Sequence, residues 1–211
     1  MLSSDVRQDT RAVDMTGRKR IQRSIFLGLL LVTSACGGNN KPPSTVLDAC
    51  RIKSERPQWY KAMQRTEQRW GVPVSVQMAT IARESSFQHD ARPMKKVGSS
   101  IFSRKVPRSS ALGYAQAIDG TWDWYRADTG RRRADRTDFA DSSDFIGWYM
   151  NQNARANGVS QNDAYNQYLA YHDGIAGFAR GSYQNKAWLP SVARDVEAWA
   201  TRYEVQLQNC R

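Results

Sequence analysis

The residue of this chain best placed to move a proton is Glu84. It closes the run VSVQMATIARESSF at residues 74–87, where Val74, Val76, Met78, Ala79, Ile81 and Ala82 are spread round most of a helix. Such a distribution describes a helix sunk in a core and not an amphipathic surface one. Ser85 and Ser86 favour leaving the helix, so the acid would stand at the mouth of a buried element. Desolvation there disfavours the anion and raises the carboxyl pKa, and an acid still protonated near neutral pH can donate a proton to a leaving oxygen. Alone, a glutamate of this kind is more often a solvated helix-terminal residue; the residues that follow it shift that balance. The first of them form the stretch Gly113-Tyr114-Ala115-Gln116. A glycine beside an aromatic and an amide reads as a turn that brings backbone close to a bound molecule, with Gln116 able both to donate and to accept.

The elements that must position these groups read as helical, and no convincing alternating strand is found. Residues 46–70 carry Leu47, Ile52, Trp59, Tyr60, Met63 and Trp70 near helical spacing, with Gly71-Val72-Pro73 as the stop. The helix bearing Glu84 then starts after Pro73. Residues 89–112 are rich in Lys, Arg, Ser and Pro without clear periodicity. A loop of that length is usually functional or disordered; this one borders the acid, and its cations either suit an anionic chain or are merely solvated. Helix resumes at Thr121 to Tyr125, where the aromatics suit a core better than a sugar platform. Asp141-Ser142-Ser143 would cap a helix over 144–156, and Ser160 the next, which carries Ala164, Tyr165, Tyr168, Leu169 and Tyr171 and ends at His172-Asp173-Gly174. A last helix spans 186–208, with Pro190 in its first turn. The fold class is all-α.

A chain of 211 residues suits one domain plus a tail. The formal charge is +11, and removing residues 1–35, which hold six Lys/Arg and three Asp, leaves +8. A basic surface calls for an anionic partner such as nucleic acid, anionic lipid or an acidic polymer. No nucleic-acid motif is found, and the densest cluster, Arg131-Arg132-Arg133 with Arg136, is interleaved with Asp128, Asp135 and Asp138 as in a solvated loop. Residues 1–36 are an export segment: Arg18-Lys19-Arg20 and Arg23 precede the apolar run IFLGLLLV at 25–32, then Thr33-Ser34-Ala35-Cys36. Eight apolar residues are too few to span a bilayer but suit a secretory signal. The stretch resembles a bacterial lipoprotein signal with Cys36 as the lipidated residue, departing from it at Thr33, where Leu is general, with a plain soluble signal as the alternative. Met15 could be the true start. Gly37, where Asp is absent, favours the outer membrane by resemblance to Gram-negative lipoprotein sorting. Residues 37–45 read as a flexible tether and 46–211 as the folded domain. Cys50 and Cys210, at opposite ends of that domain, invite a disulfide; the alternative is two free buried thiols. His89 and His172 show no ligand pattern with them, so no metal is expected.

Three pieces stand in order: Glu84-Ser85, Gly113-Tyr114-Ala115-Gln116 and Ala170-Tyr171-His172. Together, on a helical pattern behind an export signal, they resemble the SLT-type lytic transglycosylases, relatives of goose-type lysozyme. The marks of that family are a Glu-Ser pair, a Gly-Leu-Met-Gln-like turn and an Ala-Tyr-Asn triplet. The resemblance covers roughly residues 70–183 and is closer to exported lipoprotein members with a Tyr-His-(Glu/Asp)-Gly ending. It implies a lysozyme-like helical domain that cleaves the β-1,4 bond between N-acetylmuramic acid and N-acetylglucosamine in peptidoglycan, leaving a 1,6-anhydro end. Glu84 would be the single acid/base, Tyr171 the hydroxyl that orients it, Gln116 and the backbone at Gly113 and Tyr114 substrate holders, and Ser85 a hydrogen-bonding group near the reacting sugar. Ala115 stands where Met is frequent, and His172 where the family has Asn. His172 can still donate to substrate, but an imidazole titrating near pH 6.5 would make that contact acid-sensitive.

Glycosidases ordinarily use two carboxylates, and Asp90, Asp119, Asp123 and Asp173 are available as a second. The resemblance implies instead that the N-acetyl oxygen of the substrate stabilises the cationic intermediate. No cofactor is expected, and the partners are glycan strands and, through the lipid, a membrane, with the protein a monomer. Competing readings are a hydrolase of the same fold and a non-catalytic glycan-binding lipoprotein.

Overall fold

A computed structural model of the chain describes residues 40–99 and 102–210. The expected export segment, the expected start at Met15 and Cys36, the expected lipidation residue, lie outside the described residues. The centre of the domain is a helix, α3 (Val74–Ser85), whose residues from Val74 to Ala82 are all buried. That burial is what its all-round apolar pattern requires. Ahead of it run α1 (Ala49–Glu55) and α2 (Pro57–Trp70). The single helix expected over 46–70 is thus broken at Arg56: Pro57 takes the first position of α2, where its missing N–H costs nothing. Gly71, in the left-handed region at φ 76°, ends α2 as expected.

The expectation of no strands does not hold. Within residues 89–112, β1 (Met94–Val97) and β2 (Arg104–Pro107) pair antiparallel, Met94 opposite Pro107 and Val97 opposite Arg104. Neither strand has a buried residue, so neither carries the inside–outside alternation by which a strand is read from sequence.

The remaining helices are α4 (Asp119–Thr129), α5 (Phe139–Asn157), α6 (Ala164–Asp173), α7 (Ile175–Ala179) and α8 (Trp188–Asn209), with a 3-10 turn at Ser182–Asn185. Two caps differ from expectation. Asp138, not Asp141, begins α5, its Oδ1 accepting from the Asp141 N–H at 2.9 Å. Asp163, not Ser160, begins α6 through the Asn166 N–H at 3.0 Å. Ser143, freed from capping, lies buried inside α5 and donates to Gln77 Oε1 of α3 at 2.8 Å.

α3 packs on α8, α2 on α5, and α6 on α8. Trp59 stacks on Phe139 with ring centres 4.4 Å apart, and the edge of Tyr114 meets both. Under α5 the buried Asp144 accepts from Tyr125 Oη at 2.7 Å and Trp70 Nε1 at 3.0 Å and pairs with Arg69 at 3.2 Å. The ends of the domain are tied together: Ala49 N–H donates to Gln206 Oε1 at 2.8 Å, the Tyr203 hydroxyl donates to the Val46 carbonyl, and Cys50 is disulfide-bonded to Cys210. The free-thiol alternative is therefore set aside. The stretch 41–45, expected as free tether, runs along this body: Ser44 donates to both Glu55 carboxylate oxygens, Pro43 is buried, and Arg56 grips the carbonyls of Lys41 and Pro42.

Candidate active site

Glu84 sits in the last turn of α3, which stops where Ser86 and Phe87 both take positive φ, 51° and 62°. An aromatic residue at positive φ is strained. Here the strain is held by packing, since Phe87 is fully buried and stacks with Trp59 and Phe139. The third non-glycine residue at positive φ among the described residues is Gln116, at 50°. All three border the same cavity or the turn that carries Glu84 into it, as expected when a fold spends backbone strain on a site.

That cavity, about 480 Å³, is lined by Glu84, Gln116, Thr121, Tyr149, Tyr171 and His172 among others. It shares Thr121, Tyr149, Asp173 and Gly174 with a second hollow of about 610 Å³ bordered by Trp124 and Arg180, so the two form one groove. A larger cleft of about 660 Å³ lies between the starts of α3 and α6 and the side of α8. Of its carboxylates, Asp163 caps α6 and Glu197 and Glu204 are exposed on α8, and size alone does not make it the site.

The expected site residues separate into two groups. Glu84, Gln116, Tyr171 and His172 come together in the cavity wall. Ser85, Gly113 and Tyr114 are not among its lining residues. Ser85 is buried and its hydroxyl donates to the Ile81 carbonyl at 3.1 Å. Gly113 has φ +79°, and a Cβ there would lie 2.0 Å from the Arg136 carbonyl oxygen, so the close approach is to the protein's own backbone. Tyr114 is fully buried in the Trp59 cluster, with a hydroxyl that has no partner among the described residues. These two residues shape the turn that presents Gln116. The Gln116 Nε2 donates to the carbonyls of Ala91 and Gly113, both at 2.8 Å. With both amide hydrogens so used, its Oε1 is the end offered to a ligand, as an acceptor.

Burial pushes the Glu84 pKa up to about 7, against the lowering effects of a hydrogen bond from the Tyr168 hydroxyl and of the Arg83 charge. Near neutral pH the group is therefore shared between acid and base forms, the condition for moving a proton in either direction. Tyr168 was legible only as one of the apolar-spaced residues of α6; its signal as a site residue is its position three before Tyr171, on the same helix face. The Tyr171 hydroxyl itself donates to the Ala115 carbonyl at 2.6 Å, tying α6 to the turn ahead of Gln116. Tyr149, also unremarked as a site residue, lines the cavity, its pKa raised by burial. The His172 ring stands edge-on to Trp188 at 4.9 Å. Its pKa is lowered, first by desolvation and then by Lys186, so the imidazole stays neutral to lower pH than its free value of about 6.5 suggests.

Of the four aspartates available as a second carboxylate, only Asp173 lines the cavity. Its side chain is 1% exposed; Oδ1 is paired with Lys186 and Oδ2 accepts from Ser182. Burial raises its pKa, and these contacts outweigh burial and hold it ionised. Asp119 and Asp123 are paired with Arg136 and Arg126, and Asp90 lies beside His89. No group of His, Cys, Asp and Glu among the described residues is gathered as metal ligands would be.

A search of curated proteins found none that matches this chain. A family model described as the Transglycosylase SLT domain matches residues 24–210. That span includes the whole of the helical domain, Glu84 and every other residue of the groove, and the chain therefore belongs to the SLT-domain transglycosylase family.

Proposed function

We propose that the protein is a peptidoglycan lytic transglycosylase in which Glu84 is the single acid/base. The observation that carries this reading is a pairing of opposites in one groove. Glu84 is held near its midpoint at neutral pH, while the other carboxylate there, Asp173, has both oxygens occupied by Lys186 and Ser182. A second carboxylate so engaged is poorly placed to serve as nucleophile or to activate water.

In the reaction, protonated Glu84 gives its proton to the oxygen joining C4 of N-acetylglucosamine to C1 of N-acetylmuramic acid, and the C1–O bond breaks. The N-acetyl oxygen of the muramoyl residue stabilises the positive charge at C1. Glu84, now an anion, removes the proton of the same sugar's 6-hydroxyl, whose oxygen bonds to C1. The proton returns to Glu84 and no water is consumed. Tyr168 steadies the anion between the two steps, Gln116 accepts from a substrate N–H or O–H, and Tyr171 holds the Gln116 turn in place. The groove leading past Tyr149 to Trp124 gives a polymer room on one side of the cut.

Mass spectrometry of the products from purified sacculi tests this. Anhydromuramoyl ends are expected; reducing ends would replace the reading with hydrolysis, and intact sacculi with binding alone. We place the enzyme on the periplasmic face of the outer membrane, held by lipid on Cys36. Cys36→Ala should then appear in the soluble periplasmic fraction, and a variant still sedimenting with membranes would remove the anchor.

A further inference from the structure

Residues 91–118 contain six Lys/Arg and no Asp or Glu. Arg92, Lys95, Lys96, Arg104, Lys105 and Arg108 all lie in or beside the β1–β2 hairpin, and none of their side chains forms an ion pair among the described residues. On the neighbouring wall, by contrast, Arg136 is paired with Asp119 at 2.8 Å.

The register sharpens the imbalance. Lys96 stands directly opposite Lys105, on one face of the ribbon. Like charges in that relation destabilise a strand pair. The hairpin has no buried residue to offset this, and two-stranded ribbons are marginal by themselves. Its base is nevertheless built into the catalytic groove. Pro93 lines the cavity with Glu84, the Arg108 N–H closes the ribbon onto the Pro93 carbonyl at 2.7 Å, and the Ala91 carbonyl accepts from both Gln116 Nε2 and the Gly113 N–H. A ligand seated at Glu84 therefore lies at the foot of an uncompensated cationic arm.

We propose that this hairpin grips the free carboxylates of the peptides carried by the glycan strand being cut. The inference rests on the reading of the groove as a peptidoglycan site and adds to it a preference for strands that keep their peptides. The competing occupant is an anionic bilayer, suggested by Phe102, 84% exposed near the ribbon's tip. The register favours the substrate. Met94 and Val97 sit at opposite ends of β1 on opposite faces, and Lys95 and Arg104 share one face while Lys96 and Lys105 share the other. A bilayer engages one side of a ribbon, whereas peptides projecting from a strand can meet both.

The test uses the full-length protein and its Lys96→Gln/Lys105→Gln double variant, with Lys96→Arg/Lys105→Arg as the charge-keeping control. Each is assayed on glycan strands with intact peptides and on the same strands stripped by an amidase. The Gln variant should show a KM about fivefold higher on peptide-bearing strands, the scale of losing two exposed charge contacts. Its kcat and its rate on stripped strands should be unchanged, and the Arg variant should match wild type. Added salt should raise the wild-type KM on peptide-bearing strands and barely move that of the Gln variant. Co-sedimentation with sacculi before and after amidation of their carboxyl groups reads the same contact without turnover, so absence of cleavage by wild type would undo the functional reading while still testing the arm. An equal change on both strands, no change on either, or binding unaffected by amidation overturns the proposal. So does loss of binding to phosphatidylethanolamine/phosphatidylglycerol vesicles in the Gln variant with its strand preference intact, which would assign the hairpin to lipid.

Discussion

The Tyr168 hydroxyl, carried on α6, favours the anion of Glu84 on α3 and so lowers a carboxyl pKa that burial raises. The Tyr171 hydroxyl proton, three residues on, is committed to the Ala115 carbonyl. The two tyrosines thus divide the work, one setting the acid and the other the turn that holds Gln116.

Replacing Tyr168 by Phe removes a contact that favours the anion, so the Glu84 pKa should rise above 7. The alkaline limb of the kcat/KM profile should move to higher pH. Tyr171→Phe should leave that limb in place and raise KM, because what it loses is the support of the Gln116 turn. The pH profiles of both variants check this; an unmoved limb in Tyr168→Phe would separate that hydroxyl from the acid.

Glu84→Gln should cost at least about a hundredfold in kcat, the lower end for loss of a general acid/base. Its stability should also change with a defined sign. A glutamate of pKa about 7 in the folded chain and about 4.3 unfolded is protonated in both states at low pH and costs nothing there. Between these values the folded chain keeps a proton the unfolded chain releases, so wild-type stability falls as pH rises, and above pH 7 the full cost, roughly 4 kcal/mol, is present. The Gln variant carries no such charge. Urea melts at pH 8 should show it more stable than wild type, with the difference fading by pH 4.

Gly113→Ala places a methyl 2.0 Å from the Arg136 carbonyl oxygen at a φ that L residues avoid. The turn must shift or the chain must lose stability, by about 3 kcal/mol or more. Denaturant melts and activity should fall together. A variant of wild-type stability and reduced KM-limited activity would instead indicate that glycine is needed for substrate approach.

The Cys50–Cys210 disulfide closes a loop with a sequence separation of 160. Constraint of the unfolded chain on that scale contributes about 4 to 5 kcal/mol. A Cys50→Ser/Cys210→Ser variant should therefore have a clearly lower urea midpoint, with groove chemistry retained while folded, because no groove-lining residue belongs to α1 or the end of α8.

Much of this was readable in the chain before its fold. The all-round apolar pattern of residues 74–82 announced a buried helix with Glu84 at its end, Gly71 marked the end of the helix before it, and the serines at 85 and 86 marked its own, because helical periodicity and caps are local properties. The same local rules failed where several signals compete. Asp138 and Asp163 won the capping positions over Asp141 and Ser160, and Pro57 split a helix whose apolar spacing runs straight through it. The hairpin was invisible since its strands bury nothing.

Residue types, order and spacing determined that a carboxyl would meet a poorly hydrated environment and that a glutamine turn and a tyrosine would follow it. Only the tertiary structure decided which atoms meet. Tyr114 turned into the core and Tyr168 toward the acid, Asp173 was tied off by Lys186, and Gln116 was locked to Ala91. Each of these depends on packing between segments that are distant in the chain or on rotations about single bonds, and neither leaves a period in the sequence.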